Sequence, residues 1–140
     1  MGTNDACVFC EIVAGRAAAS VPFEDALVVC LMDIHPVNPG HLLVIPKRHA
    51  TGLDELDDGT GAHMFRVALR MQRALRASGL PCDGVNLLLA DGESAGQDVP
   101  HVHLHVVPRH AGDRLRITAE LTKPSRAELD QAAAAIGAAC

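Results

Sequence analysis

The stretch His101-Val102-His103-Leu104-His105-Val106-Val107-Pro108-Arg109 alternates imidazole and apolar side chains before closing on Pro-Arg. Successive side chains of a strand point to opposite faces, so the alternation predicts a strand over His101–Pro108. His101, His103 and His105 would then share one face, with Val102, Leu104 and Val106 turned into a core. Eight histidines in 140 residues allow loose clustering, but three in strict register with apolar partners call for another account. One metal ion does not hold all three. A rise of about 3.3 Å per residue sets the outer two roughly 13 Å apart at their backbones, whereas a metal–nitrogen bond is about 2.0–2.1 Å. The row suits a longer polar object, such as a phosphate chain.

Phosphoryl chemistry gives such a row a purpose. A neutral imidazole is a competent nucleophile near neutral pH, and a flanking one can stabilise phosphate oxygens or protonate a leaving group. The preceding loop, Gly92-Glu93-Ser94-Ala95-Gly96-Gln97-Asp98, could lay backbone N–H groups and the Gln97 amide along the same phosphate. No Gly-Lys-Ser/Thr sequence is present, so the site is not a P-loop.

Outward from this strand, Ala26–Met32, His41–Pro46 and Gly84–Ala90 read as further strands, with Val21–Glu24 a short edge piece. The turn-rich segment His35–Gly40 leads into the second of these. From Thr60 to Ser78, Met64, Val67, Ala68, Met71 and Leu75 fall on one face of a helix that Gly79 and Pro81 stop. Residues 7–15 suit a short helix or turn. Ser125-Arg126-Ala127-Glu128 is a capping-box pattern and predicts a C-terminal helix. Strands grouped around one central helix predict an α+β fold with an antiparallel sheet. No linker divides the chain, and we expect a single domain over 1–140, with its core at 7–109 and a tail from 110.

Composition bounds the function. Apolar residues make up 49% of the chain, with three Phe and no Tyr or Trp, enough for one core without a disulfide framework. A net charge of −5 and a pI near 5.8 lack the basic footprint of a duplex nucleic-acid binder. Lys47-Arg48 and Arg109 are large enough clusters to hold one phosphate. No apolar run approaches a membrane span, and the N-terminus lacks a signal core. Met1-Gly2-Thr3 lacks the rest of a myristoylation site. A cytoplasmic protein is the expectation, in which Cys7, Cys10, Cys30, Cys82 and Cys140 are thiols or metal ligands. Cys7 and Cys10 form a CxxC that could chelate zinc with two further ligands, act in redox chemistry, or pack as core.

At these residues the sequence resembles the histidine triad (HIT) family, whose signature His-φ-His-φ-His-φ-φ is matched at every position of His101–Val107. The likeness extends to Cys7–Val13, Leu31–Ile34, Pro39–Lys47, Asn86 and Ala95-Gly96-Gln97, covering residues 7–109. The Hint-like branch of that family implies a five-stranded antiparallel sheet with a central helix, and a homodimer in which Thr60–Ser78 pairs with its copy, or simply packs on its own sheet.

The resemblance also implies roles. His103 would attack the α-phosphate of a purine nucleoside phosphoramidate or related conjugate, forming a nucleotidyl-histidine that water hydrolyses. His105, Gln97 and the backbone of Gly96 and Asp98 would hold phosphate, supported by Asn86 and His41. Asp33 would bind the ribose hydroxyls, and Val8, Phe9, Ile12, Leu31 and Ile34 the base, although such an apolar set also suits plain core. The family often carries Ser or Thr where this chain has Asp98, and the expectation is that its carboxylate turns away from phosphate. Bacterial members with the same CxxC imply a zinc ion held by Cys7, Cys10, His49 and His101, making His101 a structural ligand as well as a triad member. His35, His63 and His110 read as solvent or packing residues. A dinucleoside polyphosphate hydrolase and a zinc-stabilised nucleotide binder with little turnover stay open as alternatives.

Overall fold

Asp25 sets where the second strand starts, and Pro46 ends the third. The Asp25 carboxylate accepts the N–H groups of Leu27 and Val28, both at 2.9 Å, an Asx-type turn. The turn delays the second strand to Val28, two residues after the sequence expectation. The computed structural model describes residues 7–140, so the Met1–Thr3 opening lies outside the described residues. Its elements in chain order are α1 (Val8–Val13), β1 (Phe23–Glu24), β2 (Val28–Met32), β3 (Leu42–Pro46), α2 (Asp58–Ala77), β4 (Gly84–Leu88), β5 (Leu104–Arg109) and α3 (Arg126–Ala139). Every pairing is antiparallel, in the order β1-β2-β3-β5-β4. The expected five-stranded α+β architecture is the one observed.

The histidine segment departs from expectation at its start. β5 begins at Leu104, so His101, Val102 and His103 lie outside the strand, with a bend at His101. The register Leu42↔Val106 and Val44↔Leu104 would next set Pro46 opposite Val102. Proline has no N–H to continue a ladder. The chain turns aside there, and Val102 N–H donates instead to Ala50 O at 2.8 Å.

The register also assigns the faces. Val28 and Cys30, Leu42 and Val44, and Val106 point to the side covered by α2, whose Met64, Val67, Ala68, Met71 and Leu75 are buried against them. Helix α2 starts two residues before the expected Thr60, because Asp57 caps it through Thr60 N–H at 2.9 Å. On the other face Val29, Leu31, Leu43 and Ile45 form a smaller core under Cys7 and Phe9. His105, between Leu43 and Leu88 in the ladder, lies on that same face, so α1 roofs the side that carries the histidine. At the far end the capping box forms, Ser125 N–H to Glu128 Oε2 at 2.7 Å and Glu128 N–H to Ser125 Oγ at 3.2 Å. All of α3 is exposed.

Candidate active site

Four side chains from three segments meet beside α1. His101 Nδ1 lies 3.4 Å from Cys7 Sγ and 3.6 Å from Cys10 Sγ, and His49 Nδ1 lies 3.3 Å from Cys10 Sγ and 3.1 Å from His101 Nδ1. All four donor atoms fall within 4.8 Å of one another, the donor set and spacing of a closed tetrahedral zinc site. The ring of His101 is oriented for it. Its Nε2–H donates to Pro46 O at 2.8 Å, which leaves the Nδ1 lone pair facing the two thiols. Burial, then the neighbouring Cys7, push the Cys10 thiol up to about 11. Two thiols this close resist ionising together, and a divalent cation removes that resistance.

His103 is almost wholly buried and follows directly. Its Nδ1–H donates to His101 O at 2.8 Å, so the second nitrogen, Nε2, is turned to the cavity. Phe9 packs edge-on against both His101 and His103, with ring centroids 5.6 and 5.4 Å away. The candidate metal site and the middle histidine are thus linked by the Phe9 ring and the His101 carbonyl.

The third histidine belongs to a different cluster. Val37 N–H donates to His41 Nδ1 at 3.1 Å, which puts the His41 proton on Nε2. That nitrogen lies 2.9 Å from His105 Nδ1 and 3.4 Å from Asp33 Oδ2. His105 therefore accepts at Nδ1 and carries its own proton on Nε2. Asp33, His41 and His105 are close enough to hold an ion, but the proton on His41 Nε2 makes this a hydrogen-bond chain. Burial, then His103 and His41, lower the pKa of His105; burial also lowers those of His41 and His101.

A cavity of about 260 Å³ opens over His103 and His105. Val8, Phe9, Ile12, Leu31 and Ile34 line its apolar wall, with Asp33 and Asp98 as its carboxylates. Ala18 and Ala19 complete the wall; nothing in their sequence context marks them. His35, read as a solvent or packing residue, also lines this cavity. Among the described residues no lysine or arginine lines it. Lys47 pairs with Glu24 at 2.9 Å, and Arg109 is held by Asp113, Asn86 and the Leu115 carbonyl. Neither of the clusters large enough to hold one phosphate lines this cavity.

The loop before the histidines differs most from expectation. The Gln97 amide donates to Thr51 O at 2.7 Å and Val99 O at 3.0 Å, and accepts from Gly92 N–H at 2.8 Å. Gly96, in the left-handed region at φ 88°, donates to Glu93 O at 2.9 Å. Both groups brace the loop instead of opening toward a ligand. Asn86 is engaged by Arg109 Nη1 at 2.6 Å. The outward orientation expected of Asp98 is corrected, since its Oδ1 lies 3.3 Å from His103 Nε2. With Nδ1–H committed to the His101 carbonyl, Nε2 is the ring nitrogen that this carboxylate faces.

The comparisons with known proteins agree with this geometry. The HIT domain model matches residues 14–112. A HIT family protein of Bacillus anthracis superposes with a TM-score of 0.91 at 34% identity, over 97% of this chain and 98% of its own. A zinc-bound histidine triad family protein of Mycobacterium smegmatis is 43% identical, with a TM-score of 0.77 over 97% of this chain and 99% of that one. An adenylylsulfatase of Arabidopsis thaliana is 37% identical over 123 residues, 87% of this chain and 61% of that protein.

Proposed function

Because this chain belongs to the HIT domain family, we propose that it is a nucleotide-binding hydrolase that cleaves purine nucleoside phosphoramidates, or related conjugates, at the α-phosphate. The observation that carries the reading is His103. Its Nδ1–H is fixed on the His101 carbonyl, and Nε2 faces a cavity with an apolar wall on one side and Asp33 on another. The Nε2 lone pair attacks phosphorus, the bond to the amine breaks, and the amine leaves with that electron pair and a proton taken from solvent. Water then attacks the nucleotidyl-histidine, a nucleoside monophosphate departs, and Nε2 regains its lone pair.

The other residues position this step. His105, with its proton on Nε2, donates toward the phosphate, and the Val37–His41 chain holds that tautomer. The apolar wall accepts the base and Asp33 the ribose hydroxyls. Zinc, held by Cys7, Cys10, His49 and His101, would supply a cross-link that fixes the segment carrying His103. The relative named as an adenylylsulfatase supports hydrolysis at a nucleotide phosphate in this family.

The same proposal takes the whole chain as one cytoplasmic domain that forms a homodimer. The outer edge of β4 is the natural joining surface, since β4 ends the strand order and an open edge presents unpaired backbone groups.

Single-turnover mass spectrometry tests the reading with adenosine phosphoramidate and, separately, diadenosine tetraphosphate. The wild type is expected to gain one adenylyl group and release AMP, while His103→Ala does neither. Faster consumption of the tetraphosphate would reassign the substrate. Nucleotide binding with no consumption of either would leave a binding protein and end the hydrolase reading.

A further inference from the structure

The cavity over His103 is unusual for an anion site. It contains two carboxylates and no lysine or arginine among the described residues. A phosphate chain bearing several charges would meet only imidazoles there, and burial lowers the pKa of one of them, His105. Asp98 sharpens the point. A reacting phosphorus must come within about 3–3.5 Å of the attacking atom, and the Asp98 carboxylate lies 3.3 Å from that atom, His103 Nε2. It must therefore move when substrate enters.

How far it moves is limited by its neighbours. The Asp98 side chain is 79% exposed, and it belongs to neither a helix nor a strand. Yet Gln97 just before it is pinned by three hydrogen bonds, so the displacement is a rotation of the side chain about its own bonds. The carboxylate then stays at the solvent rim of the cavity. In-line attack from Nε2, deep in the site, sends the leaving group toward that rim.

We propose that Asp98 is a specificity-determining residue that reads the charge of the leaving group, favouring nucleoside phosphates joined to a cationic amine and opposing those joined to an anionic group such as phosphate or sulfate. The inference rests on the proposed attack by His103 and adds to it a selection on substrate charge. Asp98 faces the attacking nitrogen, 3.3 Å away. It acts on His103 Nε2 in the free protein and on the departing group in the complex.

The test compares wild type and Asp98→Asn on two adenylyl conjugates of similar size. One carries ethylenediamine, whose free amine is an ammonium; the other is adenosine 5′-phosphosulfate, whose leaving group is an anion. The substitution should raise kcat/KM for the sulfate relative to the amine conjugate by roughly 5–20-fold, the scale of partly exposed charge pairs. High salt should shrink the difference, because exposed charges are screened. Equal changes on both conjugates would overturn charge selection and reduce Asp98 to an effect on His103 alone.

Failure of the hydrolase reading looks different, because the wild type would then consume neither conjugate. The same ratio is then read from their dissociation constants by calorimetry. A relative gain for the anionic conjugate in Asp98→Asn would still support the proposal. An unchanged ratio, or no binding of either conjugate, would overturn it.

Discussion

His101 is tied to Pro46 by a 2.8 Å hydrogen bond from its Nε2–H to the proline carbonyl, across 55 residues of chain. The bond makes His101 Nδ1 the free nitrogen and aims it at Cys7 and Cys10. The proline that stops the ladder between β3 and β5 thereby supplies the acceptor that orients one donor of the candidate zinc site.

Zinc should bind at one equivalent per chain, and Cys10→Ser should lose it. A structural ion contributes several kcal/mol, and each kcal/mol moves the midpoint of a chain this size by about 2–4 °C. Elemental analysis with thermal unfolding should find the substituted protein zinc-free and roughly 10 °C less stable. Chelator treatment of the wild type should reproduce that shift. Cys82→Ser, outside the cage, should change neither value.

Ile45 is fully buried in the smaller core beneath Cys7 and Phe9. Ile45→Ala should cost about 2–5 kcal/mol through lost burial and the cavity left behind. Because the same cluster includes Cys7, zinc affinity should fall with stability. Urea unfolding and a competitive zinc titration read the two effects separately.

His41 should act as a positioning residue. His41→Gln cannot reproduce acceptance from Val37 and donation to His105 in the same geometry. The proton on His105 Nε2 then loses its support, and kcat should fall roughly 10²-fold, within the range for a misplaced proton donor. KM should change little, since His41 lies behind His105 and does not line the main cavity. A shift of the pH profile of kcat would separate this role from simple loss of structure.

Stability should decline in mild acid. His41 and His105 have folded pKa values lowered from the ordinary 6.5, first by burial. Just below pH 6.5 the unfolded chain therefore binds more protons than the folded one. Their stabilisation is complete above 6.5 and is lost as pH falls from there toward the folded values. Urea midpoints should drop between pH 7.5 and 5.5, and drop less in His105→Asn.

A second acid effect should appear lower. Burial raises the Asp25 pKa, but the hydrogen bond from His63 at 2.6 Å and those from Val28 and Leu27 outweigh it and bring the value to about 2. The stabilisation from Asp25 is present above the ordinary 3.8 and is lost as pH falls toward 2. Asp25→Asn should cost roughly 1–2 kcal/mol at neutral pH, a share of the worth of charge-assisted hydrogen bonds. Most of that difference should vanish near pH 2, as denaturant curves at the two pH values would record. His63, read from sequence as a packing or solvent residue, ties α2 to this turn.

Periodicity alone determined a great deal. Alternation along His101–Val107 set Val102, Leu104 and Val106 on the core side and the three histidines together on the other, the side that the structure roofs with α1. The 3.6-residue pattern named all five buried residues of α2. The apolar runs located β2, β3 and β4 to within two residues at each end, and Ser125 with Glu128 announced the cap of α3. These are local properties: they depend on which way neighbouring side chains of one segment point. The metal quartet came by resemblance, since spacing gives CxxC but cannot choose its partners. Tertiary structure alone decided which nitrogen of each histidine is free and where the loop's polar groups go. Those outcomes depend on acceptors far away in sequence: Cys7 and His101 are 94 residues apart, His41 and His105 are 64 apart. Gln97 closes its loop because the Thr51 and Val99 carbonyls lie within reach of its amide. Asp98 comes to lie 3.3 Å from His103 Nε2, a placement that no local pattern in the sequence encodes.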